Sequence, residues 1–345
     1  MIHNEDAVIT AAALHKVGNK YEDEGCRFSQ HELFLDDNLS QILANFFLSP
    51  FKSEEYYQFS HDTDLSMNEV YAYVGRIFDD PNHLYEESCH IAKHLYEKSE
   101  HPNIKPGDFY TVYFENCYLD GESVDAVGIF KSENKDTFLR VKQDDDDFVL
   151  ESEQGVNIKK LDKGCLIFDQ ERERGFTVAV VDNTNRSTEA QYWVDDFLHV
   201  TPKQDEYFHT QNIMALTKSF VLNELPEEFE LSKAEQASIL NDSVTFFKEK
   251  ESFTIDEFNQ EVMQQPEIIE RFQSYKQQFS NDNNIEFPEE FDISESAVKK
   301  QSKGFKSVIK LDKNFHIYIH GSQNLLEQGE DEKGKFYKIY YKEES

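Results

Sequence analysis

The sequence lacks the features that mark secreted, disulfide-bonded and membrane-spanning proteins. Its 345 residues include only four cysteines, Cys26, Cys89, Cys117 and Cys165, and no two of them form a CxxC pair. The first residues lack the basic and apolar regions of a signal peptide. No apolar run approaches the roughly 20 residues that a membrane-spanning helix needs. We therefore expect a cytoplasmic protein with reduced thiols and no contact with a membrane.

Motifs of catalysis and of phosphate binding are also missing. There is no GxSxG nucleophile elbow, no GxxxxGK loop and no GxGxxG turn. Glu86, His90 and His94 recur at four-residue intervals, which we interpret as a polar stripe on a helix, because nothing marks a further metal ligand. We predict no catalytic residue, no cofactor and no metal site, and hence a protein that is not an enzyme. An unrecognised hydrolase is the alternative.

Basic residues are few relative to acidic ones. The chain has 35 Lys and Arg against 68 Asp and Glu, a formal net charge of −33. Residues 1–200 carry 18 basic and 40 acidic residues, or −22, and residues 201–345 carry 17 and 28, or −11. Such a surface repels nucleic-acid phosphates and favours basic partners. The composition thus describes an acidic protein and, taken alone, speaks against nucleic acid.

Large apolar side chains are abundant despite this charge. The 29 Phe and 17 Tyr exclude a disordered chain, which would be poor in aromatic residues. The length suits about two domains. We place an acidic α+β domain with a β-meander at 1–200, and a helical segment followed by a small antiparallel sheet at 201–345. The predicted fold class is α+β.

The meander is predicted from short runs with a period of two after about Gly107. Turn-like clusters separate these runs, and the four aspartates 144–147 suit the tip of a solvated hairpin. The predicted strands are Asp108–Cys117, Val124–Lys131, Thr137–Lys142, Phe148–Glu151, Val156–Leu161, Cys165–Asp169 and Phe176–Val181. Beyond residue 200 helical spacing predominates, and the period returns to two from about Phe305.

One segment reverses the charge pattern. Between Ser296 and Lys313 six lysines stand against the single acid Asp312, a local charge of +5. Such a strip can contact phosphates locally although the whole-molecule field opposes their approach. The alternative is a sheet edge protected by lysines. The residues that we predict to bind DNA are Lys299, Lys300, Lys303, Lys306 and Lys310.

A second unusual stretch is aromatic. Tyr192, Trp193 and Phe197 lie within the segment YWVDDFL and are of the type that anchors interfaces. We predict that they contribute to a homodimer interface. Core packing is the alternative.

Five short stretches form a pattern along the chain: Ile9–Val17, Tyr192–Leu198, Thr210–Asn212, Lys303–Lys306 and Leu311–Phe315. Together they resemble a bacterial nucleoid-associated protein family of the NdpA or YejK type. The resemblance covers nearly the whole chain in the order of its elements. It implies a non-enzymatic, cytoplasmic, nucleoid-associated homodimer that binds DNA or DNA-bound proteins, and a link to type II topoisomerases. The alternative is an acidic adaptor that binds basic surfaces of such enzymes without touching DNA.

Overall fold

The chain forms two compact units, Met1–Lys203, here called unit 1, and Gln204–Ser345, here called unit 2. The computed structural model describes residues 6–145, 147–184, 192–229, 231–305, 307–311, 315–319, 326–341 and 343. Both units mix helices with antiparallel strands, so the predicted α+β class is confirmed. Among the described residues, no helix is both long and apolar enough to cross a bilayer.

Unit 1 is built on an eight-stranded sheet with the order β10-β3-β9-β8-β5-β4-β1-β2, in which neighbouring strands run antiparallel. Its strands are β1 (Val8–Val17), β2 (Cys26–Phe28), β3 (Tyr56–Phe59), β4 (Gly107–Leu119), β5 (Glu122–Ser132), β8 (Lys163–Phe168), β9 (Thr177–Asp182) and β10 (Val200–Pro202). Its helices are α1 (Asp37–Leu48), α2 (Glu69–Asp79) and α3 (Leu84–Lys98). Two further strands, β6 (Lys135–Asp144) and β7 (Asp147–Val156), pair only with each other among the described residues.

Both faces of the central sheet are buried. Along β8, Cys165 and Ile167 face the core formed with α2 and α3, whereas Leu166 and Phe168 face the core formed with α1. Alternate residues of a strand point to opposite faces, so a sheet covered on both sides needs apolar residues at nearly every position. The ring of Phe47 in α1 stacks on Phe130 of β5 with centroids 4.2 Å apart.

The predicted meander is confirmed in β4, β5, β8 and β9 but is interrupted. The prediction placed the runs at Thr137–Lys142 and Phe148–Glu151 in one series with the others, whereas they form the separate β6–β7 hairpin. The predicted strand Val156–Leu161 is wrong beyond Val156, because a turn closed by the bond from Lys160 N to Asn157 O leads directly into β8. The pattern could not show which strand pairs with which.

Unit 2 begins with helices that surround one apolar core. They are α4 (Glu206–Ser219), α5 (Leu225–Glu228), α6 (Lys233–Glu249), α7 (Ile255–Phe258), α8 (Pro266–Asn283) and α9 (Glu295–Gln301). A capping box opens α6: Ser232 Oγ accepts from Glu235 N, and Ser232 N donates to the Glu235 carboxylate at 2.8 Å. Phe220, Phe258 and Phe272 lie at the centre of the core.

The strands of unit 2 form two-stranded antiparallel sheets. β11 (Ser252–Thr254) pairs with β12 (Glu290–Asp292), joining two distant points of the helical region. Towards the C-terminus, β13 (Ser307–Leu311) pairs with β14 (Phe315–Ile319), and β15 (Leu326–Asp331) pairs with β16 (Gly334–Ile339). The predicted antiparallel β-structure after the helical segment is therefore confirmed.

Candidate functional site

The helix α9 holds two of the predicted DNA-binding lysines, Lys299 and Lys300, and its buried face fixes it to unit 2. Ser294 caps α9, since its hydroxyl accepts from Ala297 N at 3.3 Å. Its backbone N–H donates to Thr210 Oγ1 in α4 at 3.0 Å. Ala297 and Val298 are buried. The helix is thus seated on its neighbours and turns its C-terminal lysines outward.

Lys299, Lys300 and Lys303 are exposed at the end of this helix. Lys299 and Lys300 lie in its last turn, and Lys303 lies in the short 3-10 turn Ser302–Gly304 that continues it. Cations at a helix C-terminus are favoured by the helix dipole. The Nζ atom of Lys300 lies 5.5 Å from the centre of the Tyr207 ring. The chain therefore presents three ammonium groups within two successive turns.

A fourth cation, Lys218, comes from the last turn of α4. A Cβ atom added at Gly304 would lie 3.0 Å from Lys218 Nζ, which shows how closely this ammonium group approaches the turn that carries Lys303. We call Lys218, Lys299, Lys300 and Lys303 the lysine patch. Sequence reasoning missed Lys218 because it lies far from the lysine-rich segment along the chain. Its place in the last turn of a predicted helix was the one available signal.

The other two predicted DNA-binding residues, Lys306 and Lys310, follow the patch in the sequence. Lys306 lies outside the described residues. Lys310 lies on β13, where its backbone is opposite His316 of β14. Phe305, between the patch and this strand, is buried and anchors the connection.

The lysine patch differs in its surroundings from two other cations of unit 2, Lys250 and Arg271. Lys250 lies 2.5 Å from Glu257, and Arg271 lies 2.8 Å from both Glu224 and Glu228. Within the part of the chain that the structure describes, no carboxylate lies at ion-pair distance from the ammonium groups of Lys218, Lys299 or Lys303.

The predicted interface residues lie in the core of unit 1. Tyr192, Trp193 and Phe197 are buried in one π-helical turn, Tyr192–Leu198, which packs on the sheet face shared with α2 and α3. The turn is held by His94, whose Nε2 donates to the carbonyl oxygen of Phe197 at 3.1 Å. Their placement is that of core packing, and a dimer interface through them stays a prediction.

Tyr192 also covers two buried lysines. Lys131 and Lys163 are opposite each other on β5 and β8, and their ammonium groups lie 5.9 and 5.2 Å from the Tyr192 ring centre. Glu133 lies 3.1 Å from Lys131, and Asp182 lies 2.6 Å from Lys163. Burial lowers the pKa of Lys131 and raises that of Tyr192. The aromatic segment therefore closes a charged cluster inside unit 1.

A cluster of exposed apolar residues of unit 1 lies on the β6–β7 hairpin. Residues that lie directly opposite each other on two paired strands share one face of the hairpin. One face of the β6–β7 hairpin carries no charged residue between Thr137 and Gln154. We call it the uncharged face; its residues are Thr137, Leu139, Val141, Gln143, Phe148, Leu150, Ser152 and Gln154. Its four apolar members expose between 62% and 74% of their surface. The opposite face is charged and internally paired, with Arg140 at 3.4 Å from Glu153.

The helical stripe Glu86, His90 and His94 shows no metal-binding geometry. His90 Nδ1 lies 3.1 Å from Glu87, and His94 is bonded to the Phe197 carbonyl. In the described ranges no group of three His, Cys, Asp or Glu side chains is placed to hold a metal ion.

Comparison with known proteins identifies one family. The family model described as nucleoid-associated protein YejK matches residues 13–337, which include most of both units. No protein with a curated description matches the chain. The resemblance inferred from the sequence is therefore confirmed at the level of the family.

Proposed function

The chain belongs to the family of nucleoid-associated protein YejK, and on this basis we propose that it is a non-enzymatic cytoplasmic protein that contacts DNA through the lysine patch. The observation that supports the proposal is the clustering of four lysines, of which Lys218, Lys299 and Lys303 lack the internal ion pairs that neutralise Lys250 and Arg271 among the described residues. Lys306 and Lys310 extend the same segment of sequence towards β13.

The acidity of the chain fixes the kind of DNA contact to expect. Four phosphate contacts give a slope of about −3.6 for the logarithm of affinity against the logarithm of salt concentration, or roughly a 100-fold loss between 50 and 200 mM salt. Repulsion by the net charge of −33 weakens binding further at low salt. We expect weak, salt-sensitive binding without sequence preference, because lysine contacts to phosphates carry no base information.

Fluorescence anisotropy with a labelled DNA duplex at several salt concentrations tests this proposal. The double variant Lys299→Glu/Lys303→Glu reverses two exposed charges and should reduce the salt slope by about two and the affinity at least tenfold. Lys218→Glu should reduce the slope by about one. The matched control is Lys333→Glu/Lys335→Glu, which makes the same charge change on the exposed β15–β16 hairpin of unit 2.

Two results would contradict direct contact through the patch. One is absence of binding by the unmodified chain at low salt. The other is an equal loss of affinity in the patch variant and in the β15–β16 variant, which would show that only net charge matters.

A second candidate is the acidic adaptor, favoured by the charge of −22 on residues 1–200. In this function unit 1 binds basic surfaces of DNA-bound enzymes, of which a type II topoisomerase is the example implied by the family resemblance. Affinity capture with and without nuclease treatment discriminates between the two functions. An adaptor keeps its partner after the DNA is digested, and the patch variant keeps it too.

We also propose that the protein is a homodimer, with the uncharged face of the β6–β7 hairpin as the contact. Exposed apolar patches of this kind mark interaction sites. A face without charge lets two copies of a chain at −33 meet with the least repulsion.

Sedimentation velocity tests the dimer. Leu139→Lys/Leu150→Lys should convert dimer to monomer by placing charge on the uncharged face. Phe138→Lys, on the opposite face of the same hairpin, is the control and should leave the dimer intact. A monomeric unmodified chain, or dissociation by the control alone, would refute this contact.

A further inference from the structure

Unit 1 contains a groove of about 810 Å³ between strand β1 and helix α1. Its first wall is the stretch Ala7–Ala12, which covers the N-terminal half of β1. Its second wall is formed by residues 32–35, by one face of α1 that includes Ser40 and Gln41, and by Ser49 and Phe51 after the helix. Neither the lysine patch nor the β6–β7 hairpin contributes to it.

The groove runs along the edge of the sheet. Six consecutive residues, Ala7–Ala12, line it. Because alternate side chains of a strand point to opposite faces, a groove reaches six in succession only where it follows the strand edge. On its other side β1 pairs with β4 along most of its length, but on the groove side it pairs with β2 only at His15–Val17.

This edge leaves backbone groups available for hydrogen bonding. In the part of β1 that precedes its pairing with β2, the one described backbone hydrogen bond on this edge runs from Leu33 N to Ala12 O, at 2.7 Å. No described strand pairs with Val8–Ala11 on this side. An open edge of this kind is a template for an added strand.

The helix wall follows α1 along its whole length, from Asp37 to Leu48. The helix presents one face to the groove, whereas Phe46 and Phe47 on another face are buried in the core. Phe34, at the mouth, is 94% exposed and is available to close over an occupant.

The charge of the groove selects its occupant. Among the described lining residues the charged ones are Glu32 and Asp37, both acidic, and there is no lysine, arginine or histidine. The neighbouring Asp36 caps α1 by accepting from Leu39 N at 2.8 Å. An extended segment with apolar residues and a cation therefore matches both the walls and the rim.

We propose that this groove binds an extended segment of a partner protein as an added β-strand, with apolar side chains at alternate positions and at least one lysine or arginine near Glu32 and Asp37. The length of Ala7–Ala12 accommodates about six residues, roughly 20 Å of extended chain. Main-chain hydrogen bonds to β1 supply affinity, and the apolar walls supply specificity. The proposal is independent of DNA contact by the lysine patch, since the two sites share no residue.

The test uses a displayed library of random dodecapeptides selected on the full-length chain. Enriched peptides should alternate apolar and polar residues and carry lysine or arginine. Ser40→Trp, which fills the groove from a half-buried helix position, should weaken their binding at least tenfold, and so should N-methylation of alternate peptide nitrogens. Phe34→Ala should weaken it several-fold. The matched control Phe138→Ala removes another exposed ring of unit 1, which lies outside both the groove and the uncharged face, and should leave peptide binding unchanged.

Four outcomes overturn the proposal. They are absence of enrichment, enriched peptides that bind the Ser40→Trp variant as well as the unmodified chain, equal binding of N-methylated peptides, and binding that appears only when residues 1–5 are removed. If Ser40→Trp instead dissociates a dimer, the occupant is a second copy of this chain. Circular dichroism of each variant confirms that the fold is retained, and the DNA-binding assay should be unaffected by all of them.

Discussion

The β4–β5 and β6–β7 hairpins follow one another along the chain but have opposite environments. The stretch from Ala126 to Ser132 in β5 is buried without interruption, whereas all ten residues of β6 are exposed. The β5 strand pairs with β4 on one side and with β8 on the other, and helices cover both of its faces. The described outer edges of β6 and β7 have no such neighbours. Strand propensity is therefore common to both hairpins, and burial follows from what the rest of the chain places beside them.

The largest expected difference concerns one phenylalanine in each hairpin. Phe130→Ala should lower the free energy of unfolding by about 3–5 kcal/mol, because it empties the site where Phe130 stacks on Phe47. Phe148→Ala should change that of the monomer by less than about 0.5 kcal/mol, since that ring is 74% exposed in a single chain. Urea denaturation measures both. Equal losses would show that the β6–β7 hairpin is buried in solution.

A pair of glycines sharpens the same contrast. A Cβ atom at Gly128 in β5 would meet the ring of Phe130 and lie 2.9 Å from Phe114 Cε2, so Gly128→Ala should cost about 1–3 kcal/mol by overpacking. A Cβ atom at Gly155 in β7 would lie 2.9 Å from the ring of Phe138, which is free to move into solvent. Gly155→Ala should therefore be nearly neutral in thermal or urea unfolding. A larger loss for Gly155→Ala than for Gly128→Ala would contradict the assignment of the core.

The buried sheet also carries a pH dependence that the hairpin lacks. His15 on β1 is buried: its Nδ1 accepts from Ser29 N, and its Nε2 lies 2.8 Å from Ser88 Oγ. Burial lowers the pKa of His15 from 6.5 to about 4. The unfolded chain therefore binds a proton more readily than the folded one, and stability is lost as pH falls from 6.5 to 4. Between pH 6.5 and pH 4, the free energy of unfolding should fall by roughly 1–3 kcal/mol more in the unmodified chain than in His15→Gln.

Denaturation series at several pH values measure this difference. The strands β6 and β7 contain no histidine. Removal of their hairpin should therefore leave unchanged the difference in pH dependence between the unmodified chain and His15→Gln. The same pH dependence in His15→Gln as in the unmodified chain would refute the assignment to His15.

The smallest expected effect is that of removing the exposed hairpin altogether. Replacing residues 136–155 by Asn-Gly joins Lys135 to Val156, which are already opposite each other, through a two-residue turn. We expect the free energy of unfolding to change by less than about 1 kcal/mol, because few apolar contacts are lost. Self-association, measured by sedimentation, should disappear. Collapse of the fold would show that the hairpin belongs to the core after all.

Local signals allowed several elements to be predicted from the sequence. The helical spacing near Asn38–Phe47 is α1, and Ser232 with Glu235 is the capping box of α6. Ser66 and Glu69 also have the spacing of a capping box, which predicts Ser66 as the cap of α2, but this prediction is wrong. Asn68 fills that position, accepting from Tyr71 N at 2.9 Å while its amide donates to Leu198 O. A contact with a residue so distant along the chain is not readable from spacing.

The candidate site likewise has a part that could be predicted from the sequence and a part that could not. The run from Lys299 to Lys303 is continuous in sequence, so its charge is visible there. Lys218 joins it only through the packing of α4 beside α9, which sequence separation conceals. The rings of Tyr192 and Trp193 fit an interface and a core equally well by composition, and only the fold places both in the core and Tyr192 beside the buried lysines.

The neck of the β6–β7 hairpin is fastened by one carboxylate. Asp162 accepts hydrogen bonds from Glu133 N at 2.7 Å, Asn134 N at 2.9 Å and Asn134 Nδ2 at 2.8 Å, just where the hairpin leaves the sheet. Its own carbonyl accepts from Asn183 N, so the fastening is tied to the next strand as well. The hairpin tip lies beyond these hydrogen bonds. We therefore expect that a fluorescent reporter inserted at the tip, for following the protein in living cells, leaves the sheet folded.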